Sequence, residues 1–296
     1  MKTYRKLLCA VCAGCLILFV CTGYAAEKAK TAAPKKPADP TATAEKSSVK
    51  KTEAAKATAD TGGKPWQTTF EVNKANLVRS GKNPFFILET GYRLNYKDGE
   101  DTLVITVTNK YKIVDGVKTR VVEERETVKG QLAEVSRNYY AIDKTNNAVY
   151  YFGESVDMYK NGVVTGHEGS WLSGKKGAKF GLMMPAKPKV GDGYQQEVAP
   201  GIAMDRAEIT SITEKVTVPA GTYENCLTTK DSSSIETGIG TKQYAPGIGL
   251  IRDDGFVLVK IELPVPKTPK TPKAAATKKE TPKKEIPPKQ SAPAGQ

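Results

Sequence analysis

His167 and Glu168, in the run Gly166-His167-Glu168-Gly169-Ser170-Trp171, are the first residues of this chain whose types suit metal or acid–base chemistry. A protein zinc site draws three or four ligands from His, Cys and acidic side chains at short spacings. Here the histidine stands alone in the chain, and the nearest cysteine in the same half is Cys226. No motif therefore reaches the ligand count, and a surface or hydrogen-bonded histidine is the plainer reading. Ser170 is not in the G-x-S-x-G context of a nucleophile elbow. Asp98, Glu100 and Asp101 cluster in a turn, but their spacing matches no calcium loop. Gly238-Ile239-Gly240 and Gly247-Ile248-Gly249 open no helix, so they read as turns and strand ends rather than phosphate cradles. No catalytic, metal-binding or cofactor-binding residue is assigned on these grounds.

The elements around these residues are strands. In Thr102–Val128, Leu103, Ile105, Val107, Tyr111 and Ile113 alternate with polar residues, the period of a half-buried strand. Asp115-Gly116 marks a hairpin turn there. Matching apolar faces favours a three-residue loop, Val114–Gly116, that pairs Ile113 with Val117. Glu123-Glu124-Arg125-Glu126 is charged on both faces and reads as a sheet edge or rim. Further strands are expected at 85–96, 132–143, 149–152, 194–198, 207–218, 223–230, 242–245, 249–252 and 256–262, with a short helix around 72–79. The stretch 165–191 is rich in Gly and Pro and reads as a long structured loop. Tyr139, Tyr140, Tyr150, Tyr151 and Phe152 cluster on neighbouring strands. Cross-strand packing is the ordinary explanation, and a ligand cavity is the other. The fold class is all-β: a single antiparallel, strongly curved sheet, a half-barrel or open barrel, over residues 65–264.

The flanks carry the charge. Residues 1–26 have Lys2, Arg5 and Lys6, an apolar run from Leu7 to Val20, and Gly23-Tyr24-Ala25, the layout of a cleaved secretory signal. A retained anchor and a lipid-modified Cys15 or Cys21 are the alternatives. Cleavage would leave Cys226 as the one thiol, unable to form an internal disulfide and placed on a strand as a small buried side chain. Residues 27–64 carry nine lysines and five acids, and residues 265–296 carry eight lysines and two glutamates. Both lack the apolar content to fold and are expected to be disordered. Residues 65–264 hold 25 basic and 25 acidic residues, so the net charge of +13 belongs to the flanks. Such flanks fit contact with an anionic envelope polymer or membrane surface, or act only as solvated spacers. Specific nucleic-acid recognition is not expected, because the lysines lack arginine and interleaved aromatics.

A series of short motifs runs through the strand block. It comprises Asn83-Pro84-Phe85-Phe86, Tyr151-Phe152-Gly153-Glu154, Gly169-Ser170-Trp171, Met184-Pro185-Ala186, Tyr194-Gln195-Gln196-Glu197, Val218-Pro219-Ala220-Gly221 and Tyr244–Leu250. In this series the chain resembles exported, functionally uncharacterised bacterial proteins of a TapB-like family. The resemblance implies a curved antiparallel sheet similar to the half-barrel of periplasmic lipoprotein carriers, and it supplies no catalytic residues. Two function classes follow. One is a non-enzymatic exported envelope protein, periplasmic or extracellular, that binds an apolar ligand or a partner protein on its concave face, with Leu103, Ile105, Val107 and Tyr111 lining it. The other is a hydrolase-type enzyme with a site in or beside 165–191, using His167, Glu168 or Asp192.

Overall fold

The structure, a computed structural model, describes residues 66–264; the expected signal, linker and basic tail fall outside them. The chain opens with a three-residue 3-10 turn, Lys74–Asn76, capped by the Asn73 side chain, where a short helix was expected. Three short strands follow, β1 (Leu77–Val78), β2 (Lys82–Asn83) and β3 (Phe86–Ile87). Long antiparallel strands then run in sequence: β4 (Arg93–Asp98), β5 (Asp101–Val114), β6 (Val117–Val128), β7 (Gln131–Asp143) and β8 (Val149–Lys160). The expected strand over 85–96 is thus broken, its first part pairing locally and its second part entering the main sheet.

The stretch expected as a loop instead holds the end of β9 (Val163–Gly166), then β10 (Trp171–Leu172) and β11 (Lys179–Met184), all paired with β8. Gly and Pro signals mark the turns between these short strands. After β12 (Gly193–Gln195) and β13 (Glu197–Val198) come β14 (Asp205–Val218), β15 (Gly221–Ser233), β16 (Ile239–Ala245), β17 (Gly249–Asp253) and β18 (Phe256–Glu262).

These strands form one large antiparallel sheet in the order β12-β14-β15-β16-β17-β18-β4-β5-β6-β7-β8-β11-β13. The two ends of that path, β12 and β13, are consecutive in sequence and separated by Gln196 alone. The sheet therefore curls until its edges meet at one residue, a nearly closed barrel with an open seam. Gly181 on β11 permits this approach, since a Cβ there would collide with the Gln196 carbonyl oxygen. Closure removes most exposed ladder edge, which suits an all-β chain.

The hairpin of β5 and β6 differs from expectation. Asp115 and Gly116 both have positive φ, 49° and 78°, and Val114 pairs directly with Val117. This is a two-residue turn of the primed type, which requires positive φ at both positions. Ile113 faces Lys118 and Tyr111 faces Arg120, the apolar-against-charged pairing that face matching disfavoured. The reason is exposure: Ile113 is 66% and Tyr111 52% exposed, so neither has a core to match, while Val114 and Val117 are buried. A register shift between Val107 and Tyr111 turns Tyr111 outward, where the Lys118 ammonium sits 4.1 Å from its ring centroid. Tyr111 thus leaves the concave face.

β6 is also no rim. It is hydrogen-bonded to β5 on one side and β7 on the other, and Glu124 and Glu126 are buried.

Candidate functional site

The barrel interior keeps a cavity of about 90 Å³. One water needs roughly 10–15 Å³ by this measure, so there is room for about half a dozen waters or a compact ligand group. One wall is apolar and aromatic. Phe85 and Phe86 are set there by buried Asn83, whose Nδ2 donates to the Asn147 and Pro185 carbonyls at 3.0 and 2.9 Å. Its Oδ1 accepts from the Phe85 N–H at 2.8 Å, and the Gly247 N–H donates to the Pro84 carbonyl at 2.7 Å. On the same wall, Tyr140 stacks on Tyr151 with centroids 4.7 Å apart, and Phe86 meets Tyr140 edge-on at 5.0 Å. The tyrosine hydroxyls are directed to fixed acceptors: Tyr151 donates to Asn138 Oδ1 at 2.6 Å and Tyr92 to the Ile248 carbonyl at 2.9 Å. Tyr140 and Tyr151 pack across strands and also line the cavity, whereas Tyr139, Tyr150 and Phe152 of the same cluster do not line it.

The opposite side is polar. Cross-strand registers carry one into the other: the row Leu94–Ile105–Glu124–Ser136 passes from aliphatic to acidic within adjacent strands. Glu124, Asn138, Gln196, Glu197, Asp205 and Lys242 all line the cavity. Lys242 lies 3.1 Å from Asp231 and pairs in register with Asp253. Burial opposes the charge on Lys242, but Asp231 and Asp253 outweigh that and hold its pKa well above the usual lysine value. Burial, then the neighbouring Glu154, pushes Glu124 up to about 8. Burial likewise raises Asp253 to about 7 against the pull of Lys242, and lifts Glu197 well above the carboxylate range with help from Asp205 and Glu154. The floor therefore carries one ammonium, answered by acids behind it, and carboxyls that burial biases toward their neutral form.

The residues nominated by sequence do not assemble here. His167 is exposed, with Nδ1 2.9 Å from the Val156 carbonyl oxygen and 3.0 Å from Asp157, which is itself held by Arg137 at 2.7 Å. Glu168 is exposed, Ser170 Oγ accepts from the Val156 N–H at 2.9 Å, and Asp192 accepts from the Lys189 N–H in a local turn. None of the four lines the barrel cavity. Among the described residues no group of three or more His, Cys, Asp or Glu side chains is placed to hold a metal ion. Cys226 is buried, as expected.

Sequence reading missed Glu124, Glu197, Asp231, Lys242 and Asp253. A signal was available: Glu124 and Glu126 keep the phase of Val122, and Lys242 keeps the phase of Tyr244, so each sits on the buried face of its strand. The motif series is informative in a different way. Phe85, Phe86, Tyr151, Gln196, Glu197, Tyr244 and Ile248–Leu250 all belong to it and all line the cavity. Gly153, in the same series, adopts φ +121° and lets β10 lie on β8, since a Cβ there would strike the Trp171 carbonyl oxygen.

No family model matches the chain, and no curated protein matches it. A search of solved structures finds the crystal structure of "a putative lipoprotein from Parabacteroides distasonis ATCC 8503", at 12% identity, covering 62% of this chain and 100% of that one. The TM-score of 0.30 is too low to establish a shared fold, family or function.

Proposed function

We propose that this chain is a non-enzymatic exported envelope protein whose barrel binds a small, largely apolar ligand, with the basic flanks contacting an anionic envelope surface. One observation carries the reading: scattered motifs from both halves of the strand block converge on one barrel cavity with aromatic and aliphatic walls. Binding pockets for small molecules have this composition, apolar walls with a few placed polar groups. The ordered motif series resembles TapB-like exported proteins and supports the same class without fixing the family. The signal-like residues 1–26 support export, and the lysine excess of 27–64 and 265–296 supports contact with anionic polymer or lipid headgroups.

The test is native mass spectrometry of the purified protein, with organic extraction of any bound molecule. The expected result is a reproducible bound species that is lost in Ile105→Phe, which fills the aliphatic wall. Absence of any bound species, together with identical uptake of an apolar fluorophore by wild type and Ile105→Phe, overturns the reading. For the flanks, sedimentation with anionic vesicles should fall when 265–296 is deleted and when salt is raised. Sedimentation unchanged by either treatment removes the surface-contact role.

A further inference from the structure

The polar side of the cavity narrows the ligand class, provided the barrel is a binder as proposed above. Glu197 is 5% exposed and lines the cavity; the Trp171 side chain acts on its carboxyl, but its Oε2 has no hydrogen-bond partner among the described residues. Glu124, on the same wall, is also buried, and Lys242 is the one cation acting on it. That ammonium is already answered by Asp231 at 3.1 Å and by Asp253. The other charged groups that face the pair, Glu154, Glu134, Asp253 and Asp205, are all acidic. A buried acceptor without a donor is costly, and ionising a buried carboxyl with no free cation beside it costs more. A group bringing N–H donors and positive charge relieves both.

We propose that the cavity selects amphiphiles with a cationic amine head, the ammonium donating to Glu197 and Glu124 while the alkyl or aryl part lies against Phe85, Phe86, Tyr140 and Tyr151. An ammonium has three donors and no acceptor, which suits a floor that offers carboxyl oxygens. An anionic head placed there meets the acids and finds Lys242 already paired. Binding also moves a proton. A neutral carboxyl receiving an ammonium ionises, so the carboxyl proton leaves for bulk buffer as the ion pair forms.

The experiment is calorimetry of the full chain with octylamine, octanol and octanoate, three probes with one tail and three heads. Charge-assisted hydrogen bonds are worth enough that octylamine should bind roughly ten-fold or more tightly than octanol, with octanoate weakest. Glu197→Gln should abolish the preference for octylamine over octanol. Repeating the octylamine titration at neutral pH in buffers of different ionisation enthalpy should show proton release that is absent with octanol. This readout does not depend on any variant folding. If octanoate binds as well as octylamine, or no protons are released, the head-group assignment falls and the apolar-cavity reading stands. If no probe binds in wild type and Ile105→Phe behaves identically, the cavity reading itself falls.

Discussion

Replacing Glu124 with glutamine tests the enclosed polar floor without reference to any ligand. The side chain is buried between β5 and β7, and its pKa is raised from 4.5 to about 8, chiefly by burial and then by Glu154. A group with a higher folded than unfolded pKa binds more protons when folded, so stability falls as pH rises from the unfolded value toward the folded one. Applying that linkage, ionisation of the unfolded chain at this one site costs the fold about 1 kcal/mol near pH 5 and about 3 kcal/mol near pH 7. The cost approaches about 5 kcal/mol once both states are ionised. Glu154 and Glu134 contribute repulsion that weakens if they too bind protons, so roughly 1–2 kcal/mol of differential slope between about pH 5 and 7 is the expected observable. Glutamine keeps the shape and cannot ionise. Urea unfolding of wild type and Glu124→Gln across about pH 5–8 should give a wild-type stability that declines with pH and a variant that declines less, by that amount. A uniform offset would only report a changed hydrogen bond; the difference in slope is what matters. Parallel profiles would show that Glu124 titrates as it does in water and that the floor is not enclosed.

Other outcomes follow from the same geometry. Gly181→Ala forces a Cβ against the Gln196 carbonyl oxygen at the seam. It should cost on the order of 3 kcal/mol or more and raise amide exchange in β11 and β13, whereas unchanged exchange would mean the seam is not held there. Lys242→Met leaves Asp231 and Asp253 without their cation. Unfolding midpoints should drop at neutral pH and recover on acidification as Asp253 is neutralised, with a loss of about 3–5 kcal/mol at most. Tyr151→Phe removes the donor to buried Asn138 and should cost about 1–3 kcal/mol in denaturant unfolding. Cys226, fully buried and with its thiol pKa raised by burial, should react with a thiol reagent only under unfolding conditions.

Strand content was legible because period-two patterning is local. Expected strands at 132–143, 207–218, 249–252 and 256–262 lie within one or two residues of β7, β14, β17 and β18. The short Gly- and Pro-punctuated pieces between 165 and 191 were not, because β10 and β11, two and six residues long, are strands through their pairing with β8 and, for β11, also with β13. The hairpin register was misjudged for a related reason: face matching assumes that both faces know where the core is, and Ile113 and Tyr111 have none.

The chemistry divides along the same line. By itself the sequence determined an all-β block, charge-neutral between two basic flanks, with one histidine and one late cysteine. Residue types and spacing are enough for that. Which acids are surface and which are buried was decided only by the tertiary structure. Glu123-Glu124-Arg125-Glu126 has the composition of an exposed edge, yet β6 is paired on both sides and curls so that Glu124 faces the barrel cavity. Alternation says that two faces exist; only closure of the sheet, with Gln196 bridging its two ends, makes one of them an interior.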